Sequence, residues 1–169
     1  MKVFESVIYW SCRNDEGWSL AAAATAKGLC YSGTPEDFMR WAKSRRWKGR
    51  LVQDGERLAP FLAQFVEYLR GERKEFTLPL DLRGTDFQRA VWDELRRIPY
   101  GQTCSYSDLA ARLGRPLGAR AVGAAVGANP LMIVIPCHRV IGKGGALAGY
   151  RGGLEMKRKL LQLEGALPL

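Results

Sequence analysis

The first 80 residues alternate between strand-like and helix-like patterns of apolar and polar positions. Val3–Trp10, Trp18–Thr25 and Leu29–Tyr31 read as strands, with turn signals at Asn14–Gly17 and Lys27-Gly28. Thr34-Pro35-Glu36-Asp37 supplies a cap, a proline at the first helical position and acids in the first turn. A helix should follow and run to about Arg46, ending basic as its dipole prefers. Leu58, Leu62, Phe65 and Leu69 recur at helical spacing and predict a second helix. Phe76–Leu82 reads as extended, and Pro79 argues against a central strand.

Near Arg83-Gly84 the character changes, which places a domain boundary near residue 80 and divides the chain into 1–80 and 81–169. Thr85-Asp86-Phe87-Gln88 is a capping box, and Phe87, Val91, Leu95 and Ile98 form one apolar stripe before Pro99-Tyr100-Gly101 ends the helix. Ser105-Tyr106-Ser107-Asp108 opens another helix, which ends at Gly114, and a third runs over residues 117–128. Leu131–Ile135 is wholly apolar and reads as a buried strand or extended segment. After the Gly-rich loop Gly142–Gly149, a last helix spans Leu154–Glu164 and closes at Gly165. The pattern predicts an α+β protein: an N-terminal α/β domain, then a mostly helical domain containing a helix-turn-helix.

Composition narrows the class. A chain of 169 residues can bury a core without disulfide staples. No apolar run reaches the ~18 residues of a spanning helix, and the N-terminus lacks a secretory pattern. Lys plus Arg number 26 against 17 acids, a formal charge of +9. Such a surface suits polyanions, nucleic acid first, although a generic basic protein has the same balance. Cys12, Cys30, Cys104 and Cys137 are scattered without a C-x-x-C pair, and His138 is the only histidine, so no metal site is expected. The thiols read as reduced and the location as intracellular.

Three features could carry chemistry. In the helix 117–128, Arg120, Gly123, Ala124 and Gly127 share a face that is almost bare backbone. It lacks the long polar side chains of a major-groove reader. It could approach a phosphate backbone or a minor groove closely, with Arg120 as probe, or it could simply pack against another helix with Arg120 solvated. Pro136-Cys137-His138-Arg139 sets a thiol beside the single imidazole. An imidazole base promotes the reactive thiolate, yet many cysteines are inert core residues. Adjacent residues of an extended chain also point apart, so direct contact would need a turn and otherwise a linking water. Glu164 opposes the dipole at the end of its helix, so it is either solvated or held by another group, an imidazole being one candidate.

Taken together, residues 85–165 resemble the O6-alkylguanine-DNA alkyltransferases, the methylated-DNA–protein-cysteine methyltransferases. The resemblance rests on Phe87-Gln88-x-x-Val91-Trp92, Ile98-Pro99-Tyr100-Gly101-Gln102-Thr103 and Ser105-Tyr106. It continues through Arg120-Ala121-Val122-Gly123, Asn129-Pro130, the signature Ile135-Pro136-Cys137-His138-Arg139-Val140, Gly149-Tyr150 and Leu160-Leu161-x-x-Glu164-Gly165. The N-terminal part carries only a loose echo in Ala24-Thr25-x-x-Gly28-Leu29.

This resemblance implies direct, single-use repair of DNA. Cys137 would take the alkyl group from O6 of a damaged guanine, His138 would activate it through a water, and Glu164 would orient His138. The nucleotide must leave the duplex stack to be reached. Arg120 would enter the stack in its place, the helix bearing Ala119, Ala121 and Gly123 would lie in the minor groove, and Tyr106 would crowd the phosphate. Asn129 would tie the helix-turn-helix to the Cys137 loop. Tyr106, Met132, Tyr150 and the backbone near Val140 and Arg151 would frame the pocket. Met132 stands where some relatives carry proline, and Lys157 matches a family lysine without an assigned role. The resemblance also implies a ribonuclease-H-like N-terminal domain, no cofactor, no membrane, and duplex DNA containing O6-alkylguanine as partner. The protein is expected to be monomeric in solution with room to cluster on DNA, and cytoplasmic: at the nucleoid in a prokaryote, nuclear in a eukaryote. A non-catalytic lesion-binding relative is the alternative, and Cys137 argues against it because those relatives replace the reactive cysteine. A helix-turn-helix regulator lacks its base-reading side chains here, and a Cys-His hydrolase lacks a recognisable acyl pocket.

Overall fold

In the computed structural model, which describes residues 6–44 and 49–167, the early extended runs form one sheet. Strands β1 (Val7–Asp15), β2 (Trp18–Thr25) and β3 (Gly28–Gly33) pair antiparallel in succession. The start of the first expected strand, residues 3–5, lies outside the described residues, and β1 instead extends to the turn at Glu16-Gly17. Strand β4 (Arg50–Gln53) adds to β1 in parallel, giving the order β3-β2-β1-β4. It is short, mostly exposed and without periodicity, so no sequence signal announced it.

Helix α1 (Pro35–Lys43) begins as its sequence dictates, the Thr34 hydroxyl accepting from the Asp37 N–H at 3.2 Å. It is capped at Ser44; the expected end near Arg46 lies outside the described residues. Phe38 of α1 packs with Ile8, Ala21, Ala23, Cys30 and Tyr31. Helix α2 (Gly55–Leu69) packs against β1 and β2 and buries Leu58, Leu62, Phe65 and Leu69, the predicted stripe. The small Ala21–Ala24 side chains, all buried, let β2 sit at the centre of this unit. Residues 76–82 form no full strand. The Leu29 N–H donates to Pro79 O and the Asp81 N–H to Leu29 O, both at 2.8 Å, so Leu80 bridges to β3 alone. Pro79 thus contributes only its carbonyl, and Gly28 is required because a Cβ there would stand 2.4 Å from that oxygen.

The contacts divide the chain into two compact units at Leu82/Arg83. In the second, the Thr85–Gln88 capping box opens α3 (Asp86–Leu95), and the α3 residue Trp92, fully buried, donates from Nε1 to Ala125 O at 2.9 Å. Strand β5 (Cys104–Ser105) leads into α4 (Tyr106–Arg112), and α5 (Ala119–Gly127) follows after a turn. Helices α4 and α5 are the predicted helix-turn-helix, and both pack against α3. Strand β6 (Val140–Ile141) pairs in parallel with β5, and α6 (Leu154–Leu163) completes the unit.

Leu131–Ile135 is not a strand. The Ile135 N–H donates back to Leu131 O at 2.9 Å, closing a tight turn in which buried Ile133 has φ of +77°. A left-handed β-branched residue costs roughly 1–3 kcal/mol and persists only where its surroundings impose it. Asn129 imposes it here: its Nδ2 donates to Ile135 O at 2.9 Å, and its Oδ1 accepts from the Leu131 N–H at 2.9 Å. Among the described residues, no helix is long and apolar enough to cross a membrane.

Candidate active site

Cys137 sits on a turn built from its neighbours. Pro136 precedes a 3₁₀ turn over Cys137–Arg139, the Cys137 N–H donates to Ile135 O at 2.7 Å, and the Arg139 N–H donates to Pro136 O at 3.0 Å. This turn sends consecutive side chains in different directions. Cys137 lines a cavity of about 320 Å³, whereas His138 and Arg139 point into the protein and are buried.

Behind the turn lies a buried ionic cluster. His138 Nε2 is 2.8 Å from Glu164 Oε1. Arg139 donates to the same carboxylate through Nε at 2.9 Å and Nη2 at 2.8 Å, and through Nη1 to Ile98 O at 2.7 Å. Glu164 caps the C-terminus of α6. Its unfavourable place at the dipole is therefore offset by a two-pronged guanidinium, the strongest form of carboxylate pairing. Sequence reasoning gave Arg139 no role, although a buried carboxylate needs more than a neutral imidazole to stay charged.

Lys157, a family lysine without an assigned role, takes a structural one here. It is fully buried, and its Nζ donates to the carbonyls of Val140 at 2.5 Å, Ala148 at 2.9 Å and Gly149 at 3.3 Å. Lys157, Leu160, Leu161 and Glu164 are all buried and fall three to four residues apart along one stripe of α6 and its cap. That spacing was the available signal: two ionisable groups occupy core positions of an otherwise apolar stripe.

Electrostatics set the resting state. Burial pushes the Cys137 thiol up, while the Asn129 amide and the charges of Arg151 and Lys157 pull it part of the way back. Burial likewise holds His138 below the ordinary histidine range, opposed by its bond to Glu164, with Arg139 also acting downward. The resting pair is then a neutral imidazole and a protonated thiol, a base and its proton source. Burial also raises the Tyr106 phenol, with charge on Cys137 adding to the effect.

This asymmetry makes stability depend on pH. The folded value of His138 lies below the unfolded one, so the unfolded chain takes up the proton first as pH falls. The contribution is complete above the ordinary histidine range and is lost as pH descends through it. Wild-type protein should therefore lose thermal stability between pH 7.5 and pH 5.5, and His138→Gln should lose less. Equal losses in scanning calorimetry would show that His138 is not the group responsible.

The cavity gathers most of the expected pocket. Tyr106, Met132, Tyr150 and Arg151 line it together with Gly123, Val126, Gly127, Asn129, Cys137 and Gly149. Tyr106, the first residue of α4, donates its hydroxyl to Ala148 O at 3.1 Å. Val140 is placed differently from the expectation: it is fully buried behind the lining, its N–H donating to Cys137 O and its carbonyl accepting from Lys157. It is tied up in holding the turn. On α5, Arg120, Ala121, Ala124 and Gly127 are exposed and Ala119 is half-buried, while Gly123, Val126 and Gly127 meet the cavity. One short helix thus presents a small-residue face to solvent and forms a wall of the pocket.

Known proteins share this chain's sequence and fold. Residues 86–166 match the family model for the 6-O-methylguanine DNA methyltransferase DNA-binding domain. The chain is 48% identical over 168 residues to the inducible methylated-DNA–protein-cysteine methyltransferase of Bacillus subtilis, covering 97% of this chain and 94% of the relative. It is 42% identical over 144 residues to the enzyme of the same name from Methanosarcina acetivorans, covering 85% of this chain and 90% of the relative. Among solved structures, Mycobacterium tuberculosis OGT in complex with DNA superposes with a TM-score of 0.78 at 40% identity, over 94% of this chain and 93% of that one. With near-complete coverage at such identity, the chain belongs to the methylated-DNA–protein-cysteine methyltransferase family.

Proposed function

We propose that the protein repairs DNA by moving an alkyl group from O6 of a guanine to Cys137, once per molecule. The observation that carries this reading is a thiol facing a base-sized cavity with a buried histidine–carboxylate pair behind it. A volume of about 320 Å³ falls at the lower end of small-molecule sites, about 300–1,000 Å³.

The reaction follows from the charges. His138, neutral and oriented by Glu164, takes the thiol proton through a bridging water, because the turn sends the two side chains apart. The sulfur then forms a bond to the alkyl carbon as the carbon–O6 bond breaks. The electron pair of that bond stays on the guanine, which takes up a proton. A thioether has no easy hydrolytic return, so the site is spent after one transfer.

DNA is the partner, and the small-residue face of α5 is the surface offered to it. Ala121, Ala124 and Gly127 permit close approach to a groove, and exposed Arg120 is long enough to fill the space left by a flipped nucleotide. Phosphate contacts should make DNA affinity fall as salt rises. The protein acts as a monomer on this reading.

Intact mass after incubation with a duplex carrying one O6-methylguanine tests the proposal. A gain of one methylene, mapped to Cys137 and saturating at one per protein, is expected. Tight lesion binding with unchanged mass would favour a non-catalytic reader. For Arg120, the expected outcome is selective: Arg120→Ala should slow repair of duplex by about 10- to 100-fold, the scale of a few kcal/mol of unstacking, and leave reaction with free O6-benzylguanine nearly unchanged. Equal losses on both substrates would assign Arg120 to folding.

A further inference from the structure

The charged groups of this unit are distributed unevenly around Cys137. Arg139 is committed to Glu164 and Ile98, and Lys157 to three backbone carbonyls. Arg120 is exposed on α5. Arg151 differs from all of these: it is half-buried and, among the described residues, is the one formally charged side chain in the cavity lining, which it shares with Cys137. Its position is held from both sides. The Gly153 N–H donates to Tyr150 O at 2.9 Å, which folds residues 150–153 into a turn, and Arg151 Nη1 donates to the Asn129 carbonyl. Gly152 leaves room beside this turn for the Met156 side chain, since a Cβ there would stand 2.5 Å from Met156 Sδ and 3.1 Å from Tyr150 Cε1.

We propose that the Arg151 guanidinium is the cation that stabilises the negatively charged sulfur of Cys137 before transfer, an inference that rests on Cys137 being the acceptor. A fixed positive charge at the wall of a partly dehydrated pocket acts strongly on a nearby thiolate. Its direction agrees with the charge balance at the thiol, where the Asn129 amide, then Arg151 and then Lys157 oppose the effect of burial. The same guanidinium, through the Asn129 carbonyl, touches the residue whose side chain braces the 131–135 turn. Thiol, cation and turn are thereby held as one unit. The titratable and charged groups around Cys137 are Tyr106 from α4, His138 on its own turn, Arg151 from the turn before α6 and Lys157 from α6, with Glu164 and Arg139 behind His138.

The test compares wild type, Arg151→Gln and Arg151→Lys on two alkyl donors, iodoacetamide and free O6-benzylguanine, across pH 6 to 10. Arg151→Gln should slow both reactions at pH 7 by about 10-fold, the effect of a one-unit rise on the thiolate fraction, with recovery at high pH. Arg151→Lys keeps the charge and should stay within about 3-fold of wild type. A pH midpoint unmoved in Arg151→Gln, or an equal pH-independent loss in both variants, would overturn the inference and leave Arg151 as a support for Asn129. Arg151→Met, which keeps the apolar stem, takes the place of the Gln variant if that one does not fold. The parent reading fails separately: wild type would then gain no alkyl group on Cys137 from O6-benzylguanine.

Discussion

Cys137→Ala should accept no label from an O6-methylguanine duplex at any pH, while binding that duplex almost as tightly as wild type. The expectation follows from where the sulfur sits. Cys137 lines the cavity but forms neither the buried Glu164 cluster nor the brace on the 131–135 turn. Removing the sulfur deletes one atom at the cavity wall and leaves both networks in place, so little stability should be lost. Among the described cysteines, Cys30 and Cys104 are buried elsewhere and Cys12 is exposed on β1, so no other thiol stands in the cavity lining. Cys137→Ser should be almost as inactive, because a neutral imidazole is a poor match for a hydroxyl that ionises so much less readily than a thiol. Mass spectrometry of the mixed protein and duplex, beside a gel-shift titration, separates transfer from binding. Label on the alanine variant would place the acceptor elsewhere.

Glu164→Ala should damage both stability and rate, by different routes. The carboxylate is fully buried and receives Arg139 and His138 together. Removing it strands a buried guanidinium, and such losses run to about 3–5 kcal/mol. Against a total of about 5–15 kcal/mol for a folded domain, that is a large fraction. Chemically, His138 loses the partner that fixes its tautomer, and general-base assistance is worth about 10²–10⁴-fold. A double replacement distinguishes the two effects. Arg139→Met with Glu164→Leu removes both charges, so much of the stability should return while the rate stays low. Urea unfolding and single-turnover kinetics on the same samples report each quantity. A double variant as unstable as Glu164→Ala would mean that the cluster matters by shape rather than by charge. Wild-type rates in the single variant would remove Glu164 from the reaction.

Residues close in sequence were legible from the sequence to the extent that their signals were local. Thr34, Thr85 and Ser105 each announce a helix start, and each caps it by accepting from the N–H three residues on. The α2 stripe and the helix-turn-helix follow from 3.6-residue periodicity. Even the separation of Cys137 from His138 could be argued, because neighbours on a chain diverge. Where a local pattern was thin, reading failed. Leu131–Ile135 is apolar throughout, a pattern shared by buried strands and buried turns, and only the side chain of Asn129 selects the turn.

What the sequence determined by itself is the inventory: caps, stripes, a basic surface, one thiol beside one histidine, and motifs specific enough to name a family. Tertiary structure alone decided how charges separated along the chain share an interior. Glu164 meets Arg139 across 25 positions and Lys157 meets Val140 across 17. Caps and periodicity lie within one or two turns of chain, so a short window contains them. A buried charge, in contrast, is tolerable only when packing brings it a partner, and no window of sequence contains both.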